Sequence, residues 1–156
     1  MARKVSSRDS RQYGAALEVC PTLTLKRTSR AIAKYYDDML RDAGVSSGQL
    51  AMLLATARDG STTYARLSRE LLIDATAVGR AVRTLQARGL VSVDEIEGSL
   101  RKKVVITEAG IECLRKAVPL WKAATDQFFE SVDKANWQRV REELSHLSSI
   151  HDQLGS

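Results

Sequence analysis

The sequence predicts a mostly α chain with a small β-hairpin, and three observations carry that class. Apolar residues recur at helical spacing over most of the 156 residues. Residues 90–106 switch to the alternating rhythm of strands around a short turn. Only 2 prolines and 5% aromatic residues argue against stacked sheets. With 44% hydrophobic and 28% charged residues the chain is globular in composition, and its length fits one domain, with or without a helical extension. No apolar run approaches the ~18 residues of a membrane span. The N-terminal MARKVSSRDSRQYGAALEV lacks the apolar stretch of a secretory leader. Cys20 and Cys113 are too few for a disulfide framework, so the expected compartment is the cytoplasm.

The elements follow in order. Residues 1–19 show no sustained period and carry Arg3, Lys4, Arg8 and Arg11; they read as a flexible basic arm, with helical character only near Tyr13 to Val19. Leu25, Thr28, Ile32, Tyr35, Tyr36, Met39 and Leu40 then predict a helix over 22–43, stopped by Gly44. Ser46 and Gln49 have capping-box spacing for the next helix, whose stripe is Leu50, Leu53, Leu54 and Ala57. A short helix over 62–71, capped by Ser61 or Thr62, turns its Leu67 and Leu71 inward. Asp74 caps a fourth helix that reaches Arg88 and stops at Gly89. Residues 90–95 and 102–106 form the hairpin. Thr107 caps a long helix with Ile111, Leu114, Val118, Trp121, Thr125, Phe128 and Val132 on one face, bent at Pro119. A last helix repeats the pattern with Trp137, Val140, Leu144, Leu147 and Leu154. Such stripes at both chain ends bury well against a second helix, in the same chain or in a partner.

The middle of this order is a helix-turn-helix followed by a wing. Val78, Ala81, Val82 and Leu85 share one side of the fourth helix; Thr76, Arg80, Arg83 and Ala87 share the other, with Gly79 at the border. A small, cationic outer face lets backbone approach a DNA groove, and arginine can pair with guanine or hold phosphate. Charge supports this placement. Residues 1–30 hold seven Lys/Arg against two Asp/Glu and residues 61–105 eight against five, whereas residues 106–156 hold six against eight.

The stretch LSRELLIDATAVGRAVRTLQARGLV (67–91), the wing, and VVITEAG (104–110) together resemble the MarR family of bacterial transcription regulators. CPTLTLKRTSRAIAKYYDDML (20–40) is similar to that family's Arg-x-x-Arg-Ala-(aliphatic)-x-x-x-Tyr-Asp pattern. The resemblance spans about residues 20–150. It implies a homodimer that binds a pseudo-palindromic operator in double-stranded DNA, with a winged helix-turn-helix lobe over 46–106 and dimerisation helices over 20–45 and 107–156. On the recognition helix it assigns Ala75, Thr76, Ala77, Gly79, Arg80 and Arg83 to DNA. On the wing, DEIEGSLRKK (94–103) departs from the family's Asp-x-Arg tip, which leaves Arg101 as the stand-in and Lys102 beside it.

The resemblance further implies repression relieved by a small aromatic or phenolic effector, in a pocket where the lobe meets the dimerisation helices. Tyr35, Tyr36, Met39, Met52, Arg66 and Trp121 are its candidate lining. Three alternatives stand beside this reading: a constitutive architectural DNA binder without a ligand, a protein-interaction winged helix with no DNA role, and a redox-sensing regulator using Cys20, which has Lys26 and Arg27 nearby in sequence. No Gly-rich phosphate loop, nucleophile elbow or His-Glu-x-x-His marks an enzyme. His146 and His151 stand five residues apart, off the spacing that would place two metal ligands on one helix face. No cofactor is expected.

Overall fold

The computed structural model describes residues 6–95 and 102–149. Helix α1 spans Ser7–Val19 and α2 spans Pro21–Met39. After a 3₁₀ turn at Arg41–Ala43 come α3 (Ser47–Ala57), strand β1 (Ser61–Thr63), α4 (Tyr64–Leu71) and α5 (Ala75–Ala87). Strands β2 (Val91–Glu95) and β3 (Lys102–Ile106) precede α6 (Glu108–Ser131) and α7 (Lys134–Ser148). The class is mostly helical with a small antiparallel sheet of order β1-β3-β2. No helix among the described residues is long and apolar enough to cross a membrane.

The core lies in the middle of the chain. Leu40, Leu50, Leu53, Leu67, Val78, Val82, Leu85 and Val104 are buried together, and Leu114 and Ala117 of α6 close the cluster. Its order follows from local signals in the sequence. Ser46 accepts from the Gln49 amide while the Gln49 side chain accepts from the Ser46 amide, so the capping box forms. Asp74 accepts from the Ala77 amide at 2.9 Å and starts α5. Gly44 and Gly89 both take left-handed backbone, ending the 3₁₀ turn and the α5 segment. Thr107 accepts from the Gly110 amide and donates to the Gly89 carbonyl at 2.7 Å. Gly110 is buried so close to the Leu90 carbonyl that any side chain there would collide with it. The Thr-Glu-Ala-Gly junction thereby locks α6 onto the foot of the wing.

The structure corrects five expectations. Residues 7–19 form a helix instead of a flexible arm. Ser6 caps it by accepting from the Asp9 amide, and Ala15, Ala16, Leu17 and Glu18 favour helix. The helix expected over 22–43 ends at Met39, because Leu40 turns into the core and the chain tightens to 3₁₀. Ser61 and Thr62 do not cap α4; they belong to β1, which pairs with β3 at Val105 and Val104, and Thr63 is the cap. On α3, Met52 and Thr56 are buried while Leu54 is exposed. On α6 the buried face is Gly110, Cys113, Leu114, Ala117 and Ala124, whereas Val118 and Trp121 are exposed. The helix runs unbroken through Pro119.

Candidate nucleic-acid interface

A three-residue turn sets α5 against α4. Leu72 adopts φ +51 and is exposed, the Ile73 amide donates to the Ser68 carbonyl, and the Ser68 hydroxyl donates to the Ile73 carbonyl at 2.6 Å. Leu67 from α4 and Val78, Val82 and Leu85 from α5 are all almost wholly buried, which fixes the rotation of α5 about its own axis. That rotation exposes Ala75, Thr76, Arg80 and Arg83 and leaves Ala77 and Gly79 half-buried. The Arg83 guanidinium lies over Gly79, with Nη1 3.7 Å from the place a Cβ would take.

The electrostatics separate these arginines from others in the lobe. Arg66 is paired with Asp59 at 2.6 Å and with Glu70 at 2.8 Å, and Arg58 also holds Glu70 at 2.8 Å. Hydrogen bonds from Arg66 and Arg58 keep the Glu70 carboxyl below the usual carboxylate range. Among the described residues, neither Arg80 nor Arg83 has a carboxylate partner. Their charge is available to an external polyanion.

The wing is more balanced. Lys102 stands opposite Glu95 and Lys103 opposite Asp94. Each lysine faces a carboxylate strand neighbour, a pairing that favours the hairpin and offsets its positive charge. Lys102 is exposed on the face that carries Val104, beyond the edge of the core; Lys103 is half-buried on the other face. Arg101 lies outside the described residues.

A profile of the MarR family matches residues 43–99, from the end of the 3₁₀ turn through α5 and β2. The transcriptional regulator MosR of M. tuberculosis, solved in complex with DNA, is 27% identical and superposes with a TM-score of 0.78, covering 86% of this chain and 98% of that one. Over residues 43–99 the chain matches the MarR family. It is a DNA-binding transcription regulator with that family's winged helix. Two further members of the structural neighbourhood share the fold. Bordetella bronchiseptica BpsR, whose DNA binding is regulated by 6-hydroxynicotinic acid, is 19% identical with a TM-score of 0.74, covering 83% and 94% of the two chains. CouR of Rhodococcus jostii, bound to p-coumaroyl-CoA, is 20% identical with a TM-score of 0.68, covering 86% and 94%. No curated protein sequence matches the chain.

The residues expected to line an effector pocket are only partly brought together in this chain. A recess of about 180 Å³ between α2, α3 and α6 is lined by Tyr36, Ser47, Leu50, Ala51, Leu54 and Trp121. Tyr35 points its hydroxyl at the Ala124 carbonyl, 2.8 Å away, and the Tyr36 hydroxyl meets Thr125 at 3.1 Å. Partial burial, together with Tyr36 and Glu130, keeps the Tyr35 phenol above its usual pKa, so it remains a donor. Met52 belongs to the core, Met39 is half-buried outside the recess, and Arg66 is committed to Asp59 and Glu70. Cys20 occupies the N-cap position of α2 without a side-chain capping bond and is half-exposed; Cys113 is buried with Sγ 3.8 Å from the Ala43 carbonyl. No cluster of three or more metal-ligating side chains occurs among the described residues. Reading periodicity alone missed β1 and the Asp37 carboxylate, whose partner lies ten residues on at the start of α3.

Proposed function

We propose that this regulator is a homodimeric repressor that reads a pseudo-palindromic operator through α5 and is released by a small aromatic or phenolic ligand. The observation that carries the reading is the pair Arg80 and Arg83: exposed, without acidic partners among the described residues, on a helix whose opposite face is sealed in the core. Ala75, Thr76, Ala77 and Gly79 supply the small surface that lets the helix approach base edges. Arg101 and Lys102 on the wing hold backbone phosphates. Residues 46–106 act as the DNA lobe, and residues 20–45 with 107–156 as the dimerisation region. The exposed apolar residues Leu25, Val140, Leu144 and Leu147 support that dimer, since each would otherwise face water. The recess beside Tyr36 and Trp121 is the effector site. The 6-hydroxynicotinic acid that regulates BpsR and the p-coumaroyl-CoA bound to CouR support an aromatic class. A ligand there needs only to favour the conformation that does not bind DNA.

The test uses duplexes selected from a random pool, with binding compared on operator and scrambled DNA at several salt concentrations. Alanine at Arg80, Arg83 or both is expected to lower the operator-to-scrambled ratio, by roughly 1–3 kcal/mol for each bidentate arginine–guanine pair removed. Alanine at Arg101 is expected to weaken both duplexes and lower the salt slope by about one unit. An unchanged ratio in both helix variants, with circular dichroism showing intact helices, would remove α5 as the reading element. Adding simple aromatic acids to the same assay tests release.

A further inference from the structure

Between the proposed dimerisation helix α2 and the DNA lobe lies a short bend. Leu40 is fully buried and turns the chain, residues 41–43 coil into a 3₁₀ turn, and Gly44 takes φ +69 before Ser46 caps α3. The Asp37 carboxylate, near the end of α2, reaches across this bend. Its Oδ1 accepts from the Ser47 amide at 2.6 Å. Ser47 is the first residue of α3, where amides have no partner inside the helix and the helix end is electropositive. Water could satisfy that amide equally well. What a carboxylate fixed on α2 adds is a short, charge-assisted restraint between two elements.

A second restraint meets the same bend from the recognition helix. Arg88 follows α5 directly. Its Nη1 donates to Gln49 Oε1 at 3.5 Å, and its Nη2 lies 3.4 Å from where a Gly44 Cβ would stand. The neighbouring carboxylate behaves differently: Asp38 pairs with Lys34 and Arg41, and none of its ion pairs reaches the lobe.

We propose that Asp37 is a positioning residue that sets operator half-site spacing, by holding α2 at one angle to the DNA-reading lobe through the Ser47 amide. This inference rests on the homodimer reading. In a two-fold dimer, a swing at the bend moves both recognition helices and changes their separation, while the side chains that meet the bases stay the same. Loss of the restraint therefore relaxes spacing and leaves base preference alone.

The experiment measures affinity for duplexes that carry two constant half-sites, with centre-to-centre distance changed in single base-pair steps around one helical turn, about 10 base pairs. The readout is the ratio of affinity at the best spacing to that one step away. Full-length protein and Asp38→Ala, which removes an adjacent charge, should both show the sharp ratio. Asp37→Ala should flatten it by up to about tenfold, the range of weaker hydrogen bonds to charged groups. Asp37→Asn, which keeps an acceptor, should lie between. Ser47→Pro removes the donor instead. Proline is favoured at the first helical position, and Ser46 already has the extended backbone (φ −80, ψ 163) that precedes proline. It should flatten the ratio equally, and the double variant should be no flatter than either single one. Base preference within each half-site should not change.

A wild-type ratio in Asp37→Ala, equal flattening in Asp38→Ala, or failure of both Asp37→Ala and Ser47→Pro to form folded dimers by sedimentation would overturn the proposal. A full-length protein indifferent to spacing would overturn the homodimer reading and this inference with it. A sharp full-length profile left intact by the variants would overturn this inference alone.

Discussion

Leu72 holds the turn of the helix-turn-helix in a backbone conformation that side chains avoid. It is the one described non-glycine residue with positive φ, and it is 77% exposed, so its side chain contributes little packing. Left-handed backbone costs a residue with a Cβ roughly 1–2 kcal/mol. Leu72→Gly should therefore raise stability by about 1 kcal/mol, since glycine's extra freedom in the unfolded chain offsets part of the gain. Urea denaturation of the two proteins reads this directly, and a lowered midpoint would show that the leucine side chain contributes more than its strain costs. Glu70 gives a pH-dependent prediction at the same scale. Its carboxyl is held below the usual range, first by the hydrogen bond from Arg66 and then by that from Arg58. Stabilisation from a depressed carboxyl is complete above the unfolded carboxylate range and is lost as pH falls through the lowered folded value. Glu70→Gln should therefore lower stability near neutrality and make the acid side of the stability profile less steep. An identical profile in wild type and variant would show that these exposed ion pairs contribute nothing measurable.

At the scale of elements, α1 is the clearest departure from periodicity. Its residues lack a long apolar stripe, yet the Ser6 cap and a run of helix formers suffice for a 13-residue helix. It buries no residue, and Tyr13, Leu17 and Val19 are exposed. Arg8 and Arg11 have no ion-pair partner among the described residues. Removing residues 1–19 is expected to weaken binding to all duplexes similarly and to flatten the salt dependence. A changed sequence preference after truncation would mean that this segment reads bases. Helix α5 was legible almost to the residue, because Asp74 and Gly89 are strong local signals bounding it and Val78, Val82 and Leu85 mark its inner face. Strand β1 was not legible. Three residues, Ser-Thr-Thr, carry no alternation, and only pairing with β3 makes them a strand.

At the scale of the whole molecule, the stripes of α6 and α7 show what the single chain leaves open. Val118 and Trp121 of α6, and Val140, Leu144 and Leu147 of α7, remain exposed when the lobe is complete. Truncation before Lys134 should uncover more apolar surface and yield a monomeric or aggregating product, whereas the full chain is expected to sediment as a dimer at micromolar concentration. The operator footprint should then be two-fold, with half-site centres about 10 base pairs apart; a single half-site footprint would count against the dimer.

Local chemistry in the sequence determined the succession of elements from α2 to α7 apart from β1, because caps, left-handed glycines and helical periodicity act within a few residues of one another. It also determined the chemical character of α5, whose small and cationic residues sit on one side by helical geometry alone. The tertiary structure decided the remainder. It chose between the two apolar faces of α6, since only the face with Gly110 and Ala117 lets that helix approach the lobe closely. It also committed Arg66 to Asp59 and Glu70 and placed Asp37 on Ser47. The choice on α6 depends on residues distant in the chain meeting in space, and the other two on how neighbouring elements are set against one another; periodicity encodes neither.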